Sequence, residues 1–144
     1  LKPFIKGLFE PLTSYEADMV EALRYRTDKF YVIGTYGDDD PGDALEHEIR
    51  HAMYYISQGY QEEVDLLLGE YSECLENFKH YLIHLGYAEA VLWDECQAYV
   101  GPDYDWIFKD KKDMVKKFKI KIPRELSKRL NVIADKYKPK LGIK

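Results

Sequence analysis

Apolar positions recur at helical spacing through most of the chain. Between residues 44 and 57, Leu45, Ile49, Ala52, Met53 and Ile56 fall on one side of a helix. The same rhythm predicts helices at about 61–69, 72–85 and 87–99, punctuated by Gly69, Gly86 and the Gly101-Pro102 pair. PRELSKRLNVIADKYK, from Pro123 to Lys138, reads as a final amphipathic helix. TSYE at 13–16 reads as a capping box, with Thr13 as N-cap and Glu16 at N3, opening a helix to about Arg26. Asp40 and Pro41 read as N-cap and first residue of the helix that runs through Ala44 to about Ser57 and stops near Gly59.

Three stretches carry a different pattern. KFYVIGTY at 29–36 is β-branched and aromatic, and is bounded by GDDDPG, which predicts a strand. FIKGLF at 4–9 predicts a short strand ended by Pro11. KFKIKI at 117–122 alternates lysine with Phe118, Ile120 and Ile122, a one-sided strand pattern. GPDYDWIF, from Gly101, reads as a loop with buried aromatics. The expected class is therefore α+β: mostly helical, with a small β-sheet packed on the helix through residues 44–57.

The chain of 144 residues is long enough for one real core, and 46% hydrophobic content with thirteen tyrosines suits a folded globular protein. No apolar run approaches the roughly 18 residues of a membrane span, so no membrane association is expected. No secretory apolar region is legible at the N-terminus. Cys74 and Cys96 form no Cys-x-x-Cys motif and read as reduced, half-buried thiols of an intracellular, cytoplasmic protein.

Charge divides the chain. Residues 1–108 carry 7 Lys/Arg against 22 Asp/Glu, a balance of -15; residues 109–144 carry 14 against 4, a balance of +10. The expected organisation is an acidic catalytic domain over 1–108 and a basic strand–helix extension over 109–144 packed on the same domain. Such a tail either lies against its own body or contacts nucleic acid.

The candidate chemistry sits in ALEHEIRHAMYY, from Ala44 to Tyr55. At about 100° per residue, His47 and His51 lie about 40° apart on one helix face, away from the apolar side. Two imidazoles one turn apart can share a zinc ion at roughly 2.0–2.1 Å. Glu48, beside the first histidine, is placed to act on a water that the metal activates. Arg50 reads as a surface or salt-bridging residue.

A third ligand is sought among the downstream acids. With Glu95 at zero angle, Ala88, Val91, Leu92, Ala98 and Tyr99 all lie within about 60° of it. A carboxylate in that apolar stripe needs compensation, by a metal or by a buried cation. Glu89 and Asp94 point elsewhere. His80 and His84 are also one turn apart, but they share their face with Glu73 and Glu76, so they read as a water-facing stripe. A carboxylate-bridged di-iron site needs two Glu-x-x-His elements, and Glu48–His51 supplies one.

HEIRH (His47 to His51) with DECQAY (Asp94 to Tyr99) resembles the zincin metallopeptidases of the gluzincin type, over about residues 29–100. The resemblance implies a zincin-like fold and one zinc ion held by His47, His51 and Glu95. It implies Glu48 as the general base, taking a proton from the activated water and passing it to the leaving amine of a peptide or protein substrate. It also implies that the edge strand at 29–36 holds that substrate by backbone pairing. Tyr99, one turn from Glu95, is the candidate oxyanion stabiliser, with Tyr55 as a second. A domain this small lacks the second lobe that usually closes a peptidase cleft.

Two other readings compete. KFKIKI followed by PRELSKRL looks like the first half of a ribbon–helix–helix DNA binder, which would make this a nucleic-acid-associated module acting through its basic tail. The alternative is a zincin-like domain that binds metal without turnover.

Overall fold

The computed structural model describes residues 13–34 and 42–143. The chain falls into two compact units, residues 1–30 and 31–144.

In the first unit, α1 spans Ser14–Leu23. Thr13 caps it: its hydroxyl oxygen accepts the Glu16 N–H at 3.2 Å, and the hydroxyl donates to the Glu16 carboxylate at 3.0 Å. This is the capping predicted by TSYE. The strand predicted at 4–9, and the Asp40 cap with Pro41, lie outside the described residues.

The second unit contains α2 (Gly42–Ile56), α3 (Gln58–Glu70), α4 (Ser72–His84), α5 (Leu92–Val100), α6 (Lys112–Lys117) and α7 (Arg124–Tyr137). A 3-10 turn at Glu89–Val91 leads into α5, and a π-helical turn at Trp106–Asp110 precedes α6. Helix α5 is central. It packs on α2 most extensively, then on α4, α3 and α7, while α7 lies along α3. Ser57 separates α2 from α3 by accepting the Tyr60 N–H at 3.3 Å, which starts a new helix and turns α3 back against α2.

The expected α+β class is wrong. The described residues form a helical, bundle-like fold with no strand and no sheet. Residues 29–34 of the predicted strand have no regular structure. A β-prone run becomes a strand only when a neighbouring strand completes its ladder, and no described segment does. The 117–122 pattern fails for a local reason. Lys119 sits at φ 54°, and the Ile120 N–H reaches back to the Val115 carbonyl at 2.9 Å. The Lys119 N–H bonds the Lys116 carbonyl at 3.2 Å, completing a Schellman closure of α6. The alternation still has a cause, since Ile120 and Ile122 enter the core from an unpaired segment. The ribbon of the ribbon–helix–helix reading is therefore absent among the described residues.

One core joins Met53 of α2, Val64 and Leu68 of α3, Phe78 of α4, Cys96 of α5 and Leu126 and Leu130 of α7. The basic stretch after residue 109 thus contributes to the same interior as the acidic body. Burying each such side chain contributes roughly 1.5–3 kcal/mol. Among the described residues, no helix is long and apolar enough to cross a membrane.

Candidate metal centre

Helices α2 and α5 bring the predicted ligands together. The side chains of His47, His51 and Glu95 are 13%, 10% and 12% exposed, so the histidine face of α2 is covered by α5. His47 Nε2 and His51 Nε2 are 3.1 Å apart. Glu95 Oε2 lies 3.9 Å from the first and 3.7 Å from the second. A circle through three points with these separations has a radius of about 2.1 Å, close to a zinc–nitrogen or zinc–oxygen bond. Among the described residues these three form the group able to hold a metal ion.

The outer nitrogens are fixed. His47 Nδ1 is 2.8 Å from Asp103 Oδ2, and His51 Nδ1 is 2.9 Å from Asp94 Oδ1. An ionised carboxylate only accepts, so each Nδ1 donates, and in a neutral imidazole the Nε2 then turns a lone pair inward. Glu95 Oε2 is buried with no hydrogen-bond partner among the described residues. With both rings neutral, three acceptor atoms converge with no donor among the described residues, and they fit a cation. Burial pushes the Glu95 carboxyl above its ordinary range, against the pull of His51 and His47. For His51, burial works to lower the value, but Asp94, Glu95 and Glu48 together outweigh it and hold the imidazole above its ordinary range.

A cleft of about 450 Å³ opens beside His47, lined by Glu48, Tyr87, Tyr99, Asp103 and Trp106. Glu48 thus faces the same space as His47. The ring of Tyr99 packs on His47 at 4.4 Å, and its hydroxyl bonds that of Tyr87 at 3.0 Å. Burial and this bond raise the Tyr99 hydroxyl well above the ordinary tyrosine range. Tyr55 is exposed, with its ring 6.0 Å from that of Tyr31. The Tyr31 hydroxyl is raised by burial and then by the charges of Glu48, Asp94 and Glu95.

His80 and His84 are exposed on α4, as their polar stripe predicts. Cys74 and Cys96 are free thiols, the first half-buried and the second fully buried. Arg50 differs from expectation. It is 3% exposed, and its guanidinium donates to the Leu130 carbonyl at 3.2 Å and to Asn131 Oδ1 at 2.6 Å. It ties α2 to α7 rather than facing water.

Sequence reasoning missed Asp94, Asp103, Tyr87 and Trp106. Asp94 was legible as the acid adjoining Glu95 but was set aside because it leaves the apolar stripe, which is where a supporting carboxylate belongs. Asp103 gave no local signal, because the chain turns beyond Gly101 before returning to His47. No protein-family model, no curated protein and no solved structure matches this chain.

Proposed function

We propose that the protein is a zinc-dependent metallopeptidase that hydrolyses peptide bonds with Glu48 as general base. One observation carries the reading: two imidazole nitrogens and a carboxylate oxygen without a partner among the described residues converge on a point about 2.1 Å from each. A proton could join one pair of these acceptors, whereas a divalent ion satisfies all three.

His47, His51 and Glu95 would hold the zinc, which when bound would supply a Lewis acid to activate water and polarise a carbonyl. Glu48 follows His47 on α2 and faces the cleft, so its carboxylate takes the proton of the attacking water and delivers it to the leaving amine. Tyr87 and Tyr99 share one hydroxyl proton between them, which leaves the second free to meet an oxygen in the cleft. No described strand offers an edge for the substrate backbone. Alignment falls instead to the aromatic walls Tyr87, Tyr99 and Trp106.

The test is metal analysis of purified protein together with cleavage of an unbiased peptide library. Wild-type protein should hold one zinc and cleave. Glu48→Gln should keep the zinc and lose turnover, and Tyr99→Phe should lose about 10²–10³ in kcat. Protein without stoichiometric metal removes the reading. Protein with metal but no cleavage is the non-turnover metal-binding domain instead.

A second reading, contact with nucleic acid, is favoured by how the cations divide. Arg129, Lys136 and Lys138 pair with Glu70, Glu63 and Glu46 of the body. Lys112, Lys116, Lys119 and Lys121 are exposed and have no ion pair among the described residues. Most of the surface left for a polyanion is therefore the turn around α6, while on α7 Lys128 is the cation left without an ion pair among the described residues. Binding of a short DNA duplex that weakens steeply with salt, and that is lost on replacing these four lysines, supports it; absent or salt-insensitive binding removes it.

A further inference from the structure

Behind His51 a hydrogen-bond chain continues into the core, and it rests on side chains that the peptidase reading leaves without a role. Asp94 Oδ1, which holds His51 Nδ1 at 2.9 Å, also accepts from Gln97 Nε2 at 3.0 Å. Gln97 Oε1 in turn accepts from the Tyr60 hydroxyl at 2.8 Å. Gln97 and Tyr60 are both 0% exposed. The chain runs from α3 through α5 to α2, and its polarity has one solution. A tyrosine hydroxyl donates to the amide oxygen, the amide nitrogen donates to the carboxylate, and the carboxylate accepts the imidazole N–H.

We propose that Gln97 and Tyr60 are positioning residues for the metal centre, acting through Asp94 to fix the tautomer and ring angle of His51. The proposal rests on the metal reading above. Asp94 alone is about a quarter exposed and could turn toward water. The Gln97 amide pins the oxygen that faces His51, and Tyr60 prevents the amide from flipping, since a flipped amide would set N–H against O–H and carbonyl against carboxylate. Fully buried polar side chains are costly unless paired, and here each of the two pairs toward the ligand. Among the described residues His47 has no such chain. Its aspartate, Asp103, has its second oxygen buried and without a partner among them. His51 is therefore the more rigidly held of the two imidazoles.

The experiment is cobalt(II) titration of the metal-free full chain, read by visible absorption and by competition with a chelator of known affinity. Gln97→Met should weaken metal binding about 10–100-fold and change the cobalt spectrum. Tyr60→Phe removes one oxygen and keeps the packing, so it tests the chain if the methionine variant fails to fold. It should weaken binding less, in the same direction, and add little to Gln97→Met in the double variant. Ser127→Ala, a buried polar deletion bonded elsewhere, to the Gly101 carbonyl, should lower stability and leave metal affinity unchanged. If both Tyr60→Phe and Gln97→Met bind cobalt within twofold of wild type with an unaltered spectrum, the positioning role is overturned and the metal centre stands. If wild-type protein binds no cobalt, the metal centre itself falls and takes the positioning role with it.

Discussion

His47 Nε2 and His51 Nε2 face each other across 3.1 Å on successive turns of α2, and a different aspartate holds the far side of each ring. Neither ring can turn away without breaking a bond to a carboxylate. The pair is thus a preset arrangement of lone pairs when both rings are neutral, and Glu95 Oε2 adds a third acceptor that no donor among the described residues answers. If the proposed metal centre holds, the energetic consequence is a site that costs stability without a cation and regains it with one.

That cost gives the first prediction. Glu95→Gln puts an amide N–H among the three acceptors and removes a buried charge. Metal-free Glu95→Gln should therefore be more stable than metal-free wild type by roughly 1–3 kcal/mol. In excess zinc the order should reverse, because wild type gains binding free energy and the variant does not. Urea denaturation with chelator and with zinc reads both signs. A variant less stable than wild type in chelator would mean that Glu95 already has a partner.

The comparison of sequence with structure follows the same physics. His47, His51 and Glu95 were legible because helical spacing is a local property: four residues return to one face, and a carboxylate in an apolar stripe stands out. Asp103 and the Tyr60–Gln97 chain were not, since they depend on which helices cross. The missing sheet has a similar origin. KFYVIGTY and KFKIKI carry strand-like composition, but a strand is decided by its partner, and in the second case by the turn at Lys119. Arg50 was misjudged because α7, which supplies its acceptors, lies about eighty residues away in sequence.

Gly101 should tolerate no side chain. A Cβ there would lie 2.8 Å from the Gln97 carbonyl oxygen, a backbone atom, and 3.7 Å from the Arg50 guanidinium carbon. The Gly101 carbonyl also accepts from Ser127 at 3.0 Å and Asn131 at 3.2 Å, so a shift here loosens α7. Gly101→Ala should cost about 1–3 kcal/mol. Thermal unfolding in zinc and in chelator should show the loss in both, because the clash is independent of the metal.

Lys119 offers a change in the opposite direction. Gly86, at φ 98°, and Lys119, at φ 54°, close α4 and α6 with the same bond pattern. At 86 the N–H of Tyr87 meets the Leu82 carbonyl, and at 119 the N–H of Ile120 meets the Val115 carbonyl. A lysine Cβ in the left-handed region costs about 1 kcal/mol that glycine avoids. The Lys119 side chain has no ion pair among the described residues, so little is lost with it. Lys119→Gly should raise the thermal midpoint by roughly 2–5 °C. A midpoint at or below that of wild type would place a contact on the Lys119 side chain that its geometry does not suggest.

Acid should loosen the seam between the acidic body and the basic C-terminal stretch. Glu63 is held below the ordinary carboxylate range by hydrogen bonds from Lys136 and Tyr137, and Asp105 by those from Lys109 and Arg124. A carboxylate with a depressed value in the fold favours folding above its unfolded pKa, about 4.5 for Glu63 and 3.8 for Asp105, and loses that contribution as pH falls through the folded value. Glu63→Gln/Asp105→Asn should therefore be less stable than wild type at pH 7, and the difference should narrow as pH falls below the unfolded values. Both partnerships are at the surface, so 0.5 M salt should narrow the difference at pH 7. Urea midpoints measured across that range test the sign. A gap that widens on acidification would mean that the two carboxylates destabilise the fold when ionised, contrary to their cationic surroundings.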